Sequence, residues 1–329
     1  ALLLAYWALS LPSLGAALVE LARQAPGQRN VLLRLLEPLG ADDEAAVAPT
    51  APAPALASGQ RGVELALRDV ALVLGGHVVL EQVNLEVRRG EHLAVVGRSG
   101  AGKSSLAGLL LGWHRATRGQ VEVDGVPLQG EHLAALRTRT AWVEPGVQLW
   151  NRTLAENIEY GAPPDRPPLA EVLAAAELAA VVESLPQGLD STLGEGGGLV
   201  SGGEGQRVRL ARALMRRDAD LVVLDEPFRG LGHGQRQALL ARCRERWRDA
   251  TLICITHDVE DTLAFSRVVV VDDGTVAEDG APAALEQADG SRYRALLDGA
   301  RAAARLWGEG WRHLTLRERR LVESEESGR

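Results

Sequence analysis

Lysine is almost missing from this 329-residue chain: Lys103 is the single lysine, and the other basic residues among its 36 Lys and Arg are arginines. Cysteine is scarce too. Its two cysteines, Cys243 and Cys254, are too few for a disulfide framework, and this indicates a reducing compartment. They also lack the spacing of a metal site. The net charge of −8 argues against non-specific binding to nucleic acid. No repeat is visible, which argues against a solenoid or propeller array.

The amino end is apolar from Ala1 to Leu9, with no basic region before it, and this argues against a signal peptide. Pro12 and Gly15 interrupt the run before it reaches the roughly 20 residues that a complete membrane span needs. We interpret it as the end of a membrane helix and the chain as a fragment of a longer protein. An amphipathic helical segment follows over 18–39, and an Ala/Pro-rich linker over 41–62.

Strand and helix patterns alternate in the globular part, which is predicted from about Val63. Two strands joined by Gly75-Gly76 come first, and buried strands over 91–96, 139–143, 221–224, 251–255 and 267–271 are separated by helical segments, the later ones at about 206–216, 234–246 and 258–265. Such alternation predicts an α/β fold whose mainly parallel sheet is covered on both faces.

A glycine-rich turn lies between an apolar strand and a helical segment. Its glycine spacing, followed by Lys103 and Ser104, fits a phosphate-binding loop (Walker A), in which backbone N–H groups surround phosphate oxygens. The lone ammonium is suited to reach the β- and γ-phosphates of a nucleotide as a compact charge. The predicted loop comprises Gly97, Arg98, Ser99, Gly100, Ala101, Gly102, Lys103, Ser104 and Ser105.

Two carboxylates follow the apolar run over 221–224. Ligands of open α/β sheets bind at the carboxyl ends of strands, and Asp225 is predicted to hold Mg²⁺ together with the Ser104 hydroxyl. Glu226 is predicted to orient and deprotonate an attacking water. A second serine-glycine turn, Ser201-Gly202-Gly203-Glu204, opens a helix and predicts another anion site.

Together these motifs resemble the nucleotide-binding domain of ATP-binding cassette (ABC) transporters, over about Val63 to Leu297. The resemblance implies a P-loop NTPase of ABC type with an antiparallel β subdomain and a helical subdomain, ATP and Mg²⁺ as cofactors, and hydrolysis coupled to transport. It identifies His257 as a catalytic switch residue beside Lys103 and Glu226, and 201–204 as the signature that contacts ATP on a second such domain, head to tail.

The resemblance also implies transmembrane domains as partners and a place at the cytoplasmic face of a cell membrane, that of the bacterial inner membrane, with no nucleic acid bound. Residues 1–40 are interpreted as the end of the last transmembrane helix of an exporter and a connecting helix. Residues 298–329 are predicted to form a helical extension. A looser likeness to peptide and bacteriocin export ATPases suggests a peptide as the transported substrate.

Several positions depart from the family pattern. Leu74 stands where an adenine-stacking aromatic is expected. Pro145 replaces a glutamine near the metal, so Gln148 becomes a ligand only if the loop shifts. Gly232 replaces an aspartate that acts across the dimer. Two alternatives therefore stay open beside the exporter: a soluble ABC-type mechanochemical ATPase, and a nucleotide-binding regulator that does not hydrolyse ATP.

Overall fold

The computed structural model describes residues 61–310, 314–317 and 320–323, together with isolated positions between 15 and 36. The chain divides into two units, Ala1–Thr50 and Ala51–Arg329. In the first unit the described positions are helical. The remainder of the segment predicted over 18–39 lies outside the described residues, as do residues 41–60 of the linker predicted over 41–62. Among the described helices, none combines the length and the apolar character needed to cross a membrane.

An antiparallel sheet begins the described part of the second unit. Gly75 and Gly76 both have positive φ and form the turn between its first two strands, where the sequence predicts it. The beginning of this part is held in place by a hydrogen bond in which the Val63 N–H donates to the Thr251 hydroxyl at 2.9 Å. In spatial order the strands are β2 (His77–Val87), β1 (Leu65–Leu74), β4 (Arg118–Val123) and β5 (Val126–Pro127).

A six-stranded sheet forms the centre, and its one antiparallel pairing is between the last two strands in the order below. The mainly parallel sheet predicted from the sequence is confirmed. The strand at Thr275–Gly280 was not predicted, because it is half-exposed and lacks a continuous apolar run. The order is β6 (Thr140–Val143), β7 (Leu221–Asp225), β8 (Thr251–Ile255), β3 (His92–Val96), β9 (Arg267–Asp272) and β10 (Thr275–Gly280).

Each parallel strand contributes to two separate cores, because successive side chains point to opposite faces. In β3, Ala94 and Val96 pack with one set of buried residues, and Leu93 and Val95 pack with the other. The first core lies against the helices between residues 154 and 214, and the second lies against the antiparallel sheet. Burying each Val or Leu side chain contributes about 1.5–3 kcal/mol. The central sheet therefore has a fixed position between two apolar layers.

Helices connect the strands. The element predicted at 258–265 is a 3-10 helix at Val259–Ala264 rather than an α-helix, and two further 3-10 turns lie at Gly188–Asp190 and Glu195–Gly197. In the described part of the second unit the α-helices are α1 (Lys103–Leu110), α2 (Gly130–Thr138), α3 (Leu154–Glu159), α4 (Leu169–Ala175), α5 (Ala179–Ser184), α6 (Gly202–Leu214), α7 (His233–Arg246), α8 (Pro282–Gln287) and α9 (Arg292–Gly310).

The end of the chain differs from the helical extension predicted over 298–329. Helix α9 runs across the predicted boundary at Leu297, and two antiparallel strands follow it, β11 (Leu314–Arg317) and β12 (Arg320–Glu323). Leucine alternates with polar residues over 314–317, a period of two that favours a strand over a helix.

Candidate nucleotide site

The predicted phosphate loop lies at the carboxyl end of β3. The strand ends at Val96, and α1 begins at Lys103. Gly97, Gly100 and Gly102 have φ of +152°, +80° and +103°, conformations that side chains disfavour. Gly97 also has no room for a side chain, because an added Cβ would lie 2.1 Å from the carbonyl oxygen of Val271 on the neighbouring strand. The loop's path is therefore set by backbone contact with the sheet.

Gly97→Ala is expected to destabilise the protein by about 1–3 kcal/mol, because the methyl group must displace β9 or the loop. The control is Gly100→Ala, where φ is +80° but no atom lies within 4 Å of the added Cβ. This control should cost roughly 1 kcal/mol from backbone strain alone. Urea unfolding of both variants makes the comparison, and equal losses would contradict the close contact with Val271.

Lys103 is the buried cation of the loop, and its side chain is 9% exposed. Its Nζ donates hydrogen bonds to the carbonyl oxygens of Gly97 and Arg98, each at 2.9 Å. Burial lowers the pKa of this ammonium, while the charges of Glu226 and Asp225 act in the opposite direction. The ammonium is thus held against the loop, near both carboxylates.

Asp225 ends β7 beside the loop, and only 4% of it is exposed. It accepts a hydrogen bond from the Ser104 hydroxyl, and burial raises the pKa of its carboxyl. Its Oδ1 is buried and has no hydrogen-bond partner. A buried carboxylate oxygen without a partner, next to a hydroxyl, suits a hard cation such as Mg²⁺, which also keeps water and phosphate oxygens as ligands. No group of three or more His, Cys, Asp or Glu within the described residues is arranged to hold a metal by itself.

Glu226 and His257 meet across two neighbouring strands. His257 Nδ1 lies 2.5 Å from Glu226 Oε2, and the Glu226 N–H donates to the carbonyl oxygen of Ile255 at 2.9 Å. Glu226 has φ of +46°, a strained conformation for a residue with a side chain. Burial raises the pKa of its carboxyl, and the adjacent imidazole partly offsets this. The two predicted catalytic residues are therefore in direct contact.

Glu144 is an acidic residue that sequence reasoning missed. Val143 pairs with Leu224 in the parallel register of β6 and β7, so the next residues, Glu144 and Asp225, lie side by side at the strand ends. Burial and the charge of Asp225 raise the pKa of the Glu144 carboxyl. Gln148 is exposed and lies beside Gly196, so the structure brings Glu144, not Gln148, to Asp225. The sequence signal available for Glu144 is its position directly after a buried strand.

The signature serine caps α6, which begins at Gly202 and not at the predicted Gln206. Ser201 and Glu204 form a capping box: the Glu204 N–H donates to Ser201 Oγ at 3.3 Å, and the Ser201 N–H donates to Glu204 Oε2 at 2.7 Å. These bonds begin the helix inside the glycine run. The hydrogen bond from the Ser201 backbone is the largest effect that lowers the pKa of Glu204.

Helix α6 also holds the segment that follows Glu226. Gln206, only 2% exposed, donates from Nε2 to the carbonyl oxygen of Glu226 at 3.2 Å. A Cβ on Gly203 would lie 3.1 Å from the carbonyl oxygen of Gly230. The sequence does not predict this contact, because a glutamine inside a helix gives no signal of its partner.

Part of the phosphate loop and the segment after β7 line a cavity of about 610 Å³, a size typical of small-ligand sites. Lys103, Glu226 and His257 line it, and Val79 is an apolar part of its wall. Leu74, at the position predicted for base stacking, is 37% exposed. Other lining residues are Ser99, Gly100, Gly102, Ser104, Ser105, Phe228, Arg229, Gly230, Arg236 and Asp258.

Comparison with known proteins places this geometry in a family. Residues 80–229 match the profile described as ABC transporter. An "ATP-dependent lipid A-core flippase" from Alkalilimnicola ehrlichii is 39% identical over 205 residues, which cover 61% of this chain and 34% of that protein. A flippase of the same description from Vibrio vulnificus is 35% identical over 233 residues, which cover 69% of this chain and 40% of that protein.

A solved structure, "Structure of a bacterial Atm1-family ABC exporter with ATP bound", aligns with a TM-score of 0.71 and 29% identity, over 84% of this chain and 47% of that one. The chain thus spans less than half the length of the relatives it matches. The resemblance inferred from the phosphate loop, the signature and the paired acids is confirmed at the level of the family. This chain carries a nucleotide-binding domain of the ABC transporter family, homologous to those of ABC exporters.

Proposed function

We propose that this chain is the ATP-binding and ATP-hydrolysing part of an ABC exporter, acting with transmembrane domains at the cytoplasmic face of a bacterial membrane. The observation that carries the proposal is the meeting of Lys103, Asp225 and Glu226 at one sheet edge, beside a cavity of about 610 Å³. Phosphoryl transfer requires a cation, a metal-binding carboxylate and a base close to one another.

In the proposed reaction, the N–H groups of the loop and Lys103 bind the phosphates of ATP. Ser104 and Asp225 would hold Mg²⁺, with Glu144 close enough to Asp225 to take part, and the bound ion supplies charge neutralisation at the phosphates. The Glu226 carboxylate accepts the proton of the attacking water. His257 donates from Nδ1 to Glu226 Oε2, which fixes the direction of that carboxylate.

The second half of the site is proposed to come from another nucleotide-binding domain, paired head to tail. Ser201, Gly202, Gly203 and Glu204 would face the partner's ATP, at the first turn of α6. The positive end of the helix dipole attracts phosphate. The Glu204 carboxylate already accepts the Ser201 N–H at 2.7 Å, so one donor of this turn is engaged within the chain.

The transported substrate remains a proposal. Two of the relatives reported above are described as lipid A-core flippases, and their names give no support to the peptide suggested by sequence likeness. A lipid is therefore the substrate class we propose to test first, in the full-length protein.

The function is tested by measuring ATP turnover of the purified chain over a range of protein concentrations, with Mg²⁺ and with EDTA. Turnover per molecule is expected to rise with concentration as head-to-tail pairs form, and to fall to background in EDTA. Nucleotide binding without turnover at any concentration would support the non-hydrolysing regulator instead. Turnover independent of concentration would contradict the paired site.

A further inference from the structure

Arg229 is a cation of the cavity that has no partner among the described residues. The cavity wall contains four side chains that carry or can carry positive charge: Lys103, Arg229, Arg236 and His257. Three of them are engaged elsewhere in the protein. Lys103 binds loop carbonyls, Arg236 pairs with Asp258 at 3.2 Å and with Asp261 at 3.1 Å, and His257 contacts Glu226.

Within the described part of the chain, the Arg229 side chain makes no hydrogen bond and no ion pair, and it is exposed at the cavity. An exposed arginine with no protein contact to break can meet a ligand at the cost of side-chain entropy and of part of its hydration.

The backbone beneath Arg229 is fixed from two directions. The Arg229 N–H donates to the carbonyl oxygen of Glu226 at 3.4 Å, and the Leu231 N–H donates to that of Phe228 at 3.1 Å. Phe228 itself is 5% exposed and belongs to the first core. On the other side, Gly230 lies against Gly203 of α6, with the Gly203 nitrogen 3.6 Å from a Cβ built on Gly230. This anchoring holds Arg229 one turn away from the proposed base.

The positive and negative side chains of the cavity wall are balanced except for Arg229. The charged side chains Lys103 and Arg236 are matched in number by Glu226 and Asp258. Arg229 is therefore the source of net positive charge in a wall that must accept an anionic phosphate chain. A guanidinium binds phosphate oxygens through two parallel N–H donors.

We propose that Arg229 binds the terminal phosphate of a nucleoside triphosphate in the cavity of its own chain. This inference rests on the proposed function, because the triphosphate is the ligand of that site. The γ-phosphate is the group concerned, since Arg229 shares a turn with Glu226, whose carboxylate must face the water that attacks it. Arg229 thus adds a phosphate contact to those that the phosphate loop makes.

The test compares the binding of a non-hydrolysable ATP analogue and of ADP to the wild-type chain, Arg229→Ala and Arg229→Lys, by calorimetry with Mg²⁺ present. The matched control is Arg248→Ala. It removes the same charge from an arginine that pairs with Glu245 and Asp249 at the surface and does not line the cavity. We expect Arg229→Ala to weaken binding of the analogue about tenfold, or about 1.4 kcal/mol, and binding of ADP less than twofold. Arg229→Lys should recover part of the loss.

Three outcomes decide the inference. If Arg229→Ala binds the analogue as tightly as Arg248→Ala does, Arg229 has no role in phosphate binding. If it loses the analogue and ADP equally, the assignment to the terminal phosphate is wrong. If the wild-type chain binds neither nucleotide, the proposed function itself fails, which separates the two hypotheses.

Discussion

Glu226→Gln is expected to reduce ATP turnover by about 10²- to 10⁴-fold, the range that a general base contributes. Glutamine has nearly the same shape as glutamate, but its amide cannot accept a proton from water. ATP affinity should be kept or increased, because the substitution removes a negative charge next to Lys103. Steady-state phosphate release, measured beside equilibrium binding of ATP, separates the two effects.

Asp190→Asn is a matched control, since it also changes an acid to its amide, in the 3-10 turn Gly188–Asp190, away from the cavity wall. It should hydrolyse ATP at the wild-type rate. Turnover by Glu226→Gln within a few-fold of the wild type would assign the base to another residue, and Glu144, which lies beside Asp225, is a candidate.

Lys103→Ala is expected to weaken ATP binding by on the order of 100-fold, which corresponds to about 3 kcal/mol for a charged hydrogen-bond donor. The loss has a second cause: the carbonyl oxygens of Gly97 and Arg98, which Nζ now binds, lose their donor. Turnover should disappear along with binding. Calorimetry of ATP binding and thermal unfolding of the apoprotein together measure the effect.

Lys103→Arg tests whether charge alone is sufficient. Because Lys103 is only 9% exposed, the wider guanidinium should not fit the loop, and ATP binding should remain strongly impaired. Wild-type affinity in this variant would contradict the argument that a compact ammonium is required. An unchanged unfolding midpoint in either variant excludes misfolding as the cause of lost binding.

The parallel sheet and the phosphate loop were predictable because their signals are local. Buried strands such as Thr251–Ile255 are continuous apolar runs, and the bounds predicted for this one match the structure. The glycines of the loop precede a helix directly, so the order of residues already implies the geometry. Asp225 and Glu226 follow their strand in the same local way.

Contacts between distant segments were not predictable. Glu144 reaches Asp225 only through the register of β6 against β7, and Gln206 reaches the Glu226 carbonyl across 20 residues of sequence. The start of α6 was misplaced because glycines normally disfavour helices, and the capping box between Ser201 and Glu204 overrides that preference. The role proposed for Arg229 depends on which neighbouring cations are already paired, which the sequence does not state.

The solitary side-chain amine of the chain stands in the phosphate loop, nearly closed off from solvent. A reagent selective for ε-amines therefore has one side chain to modify in the whole sequence. Its rate of reaction reports the opening of that loop without competition from surface lysines. The same scarcity means that trypsin cleaves this protein after arginine at every site except one.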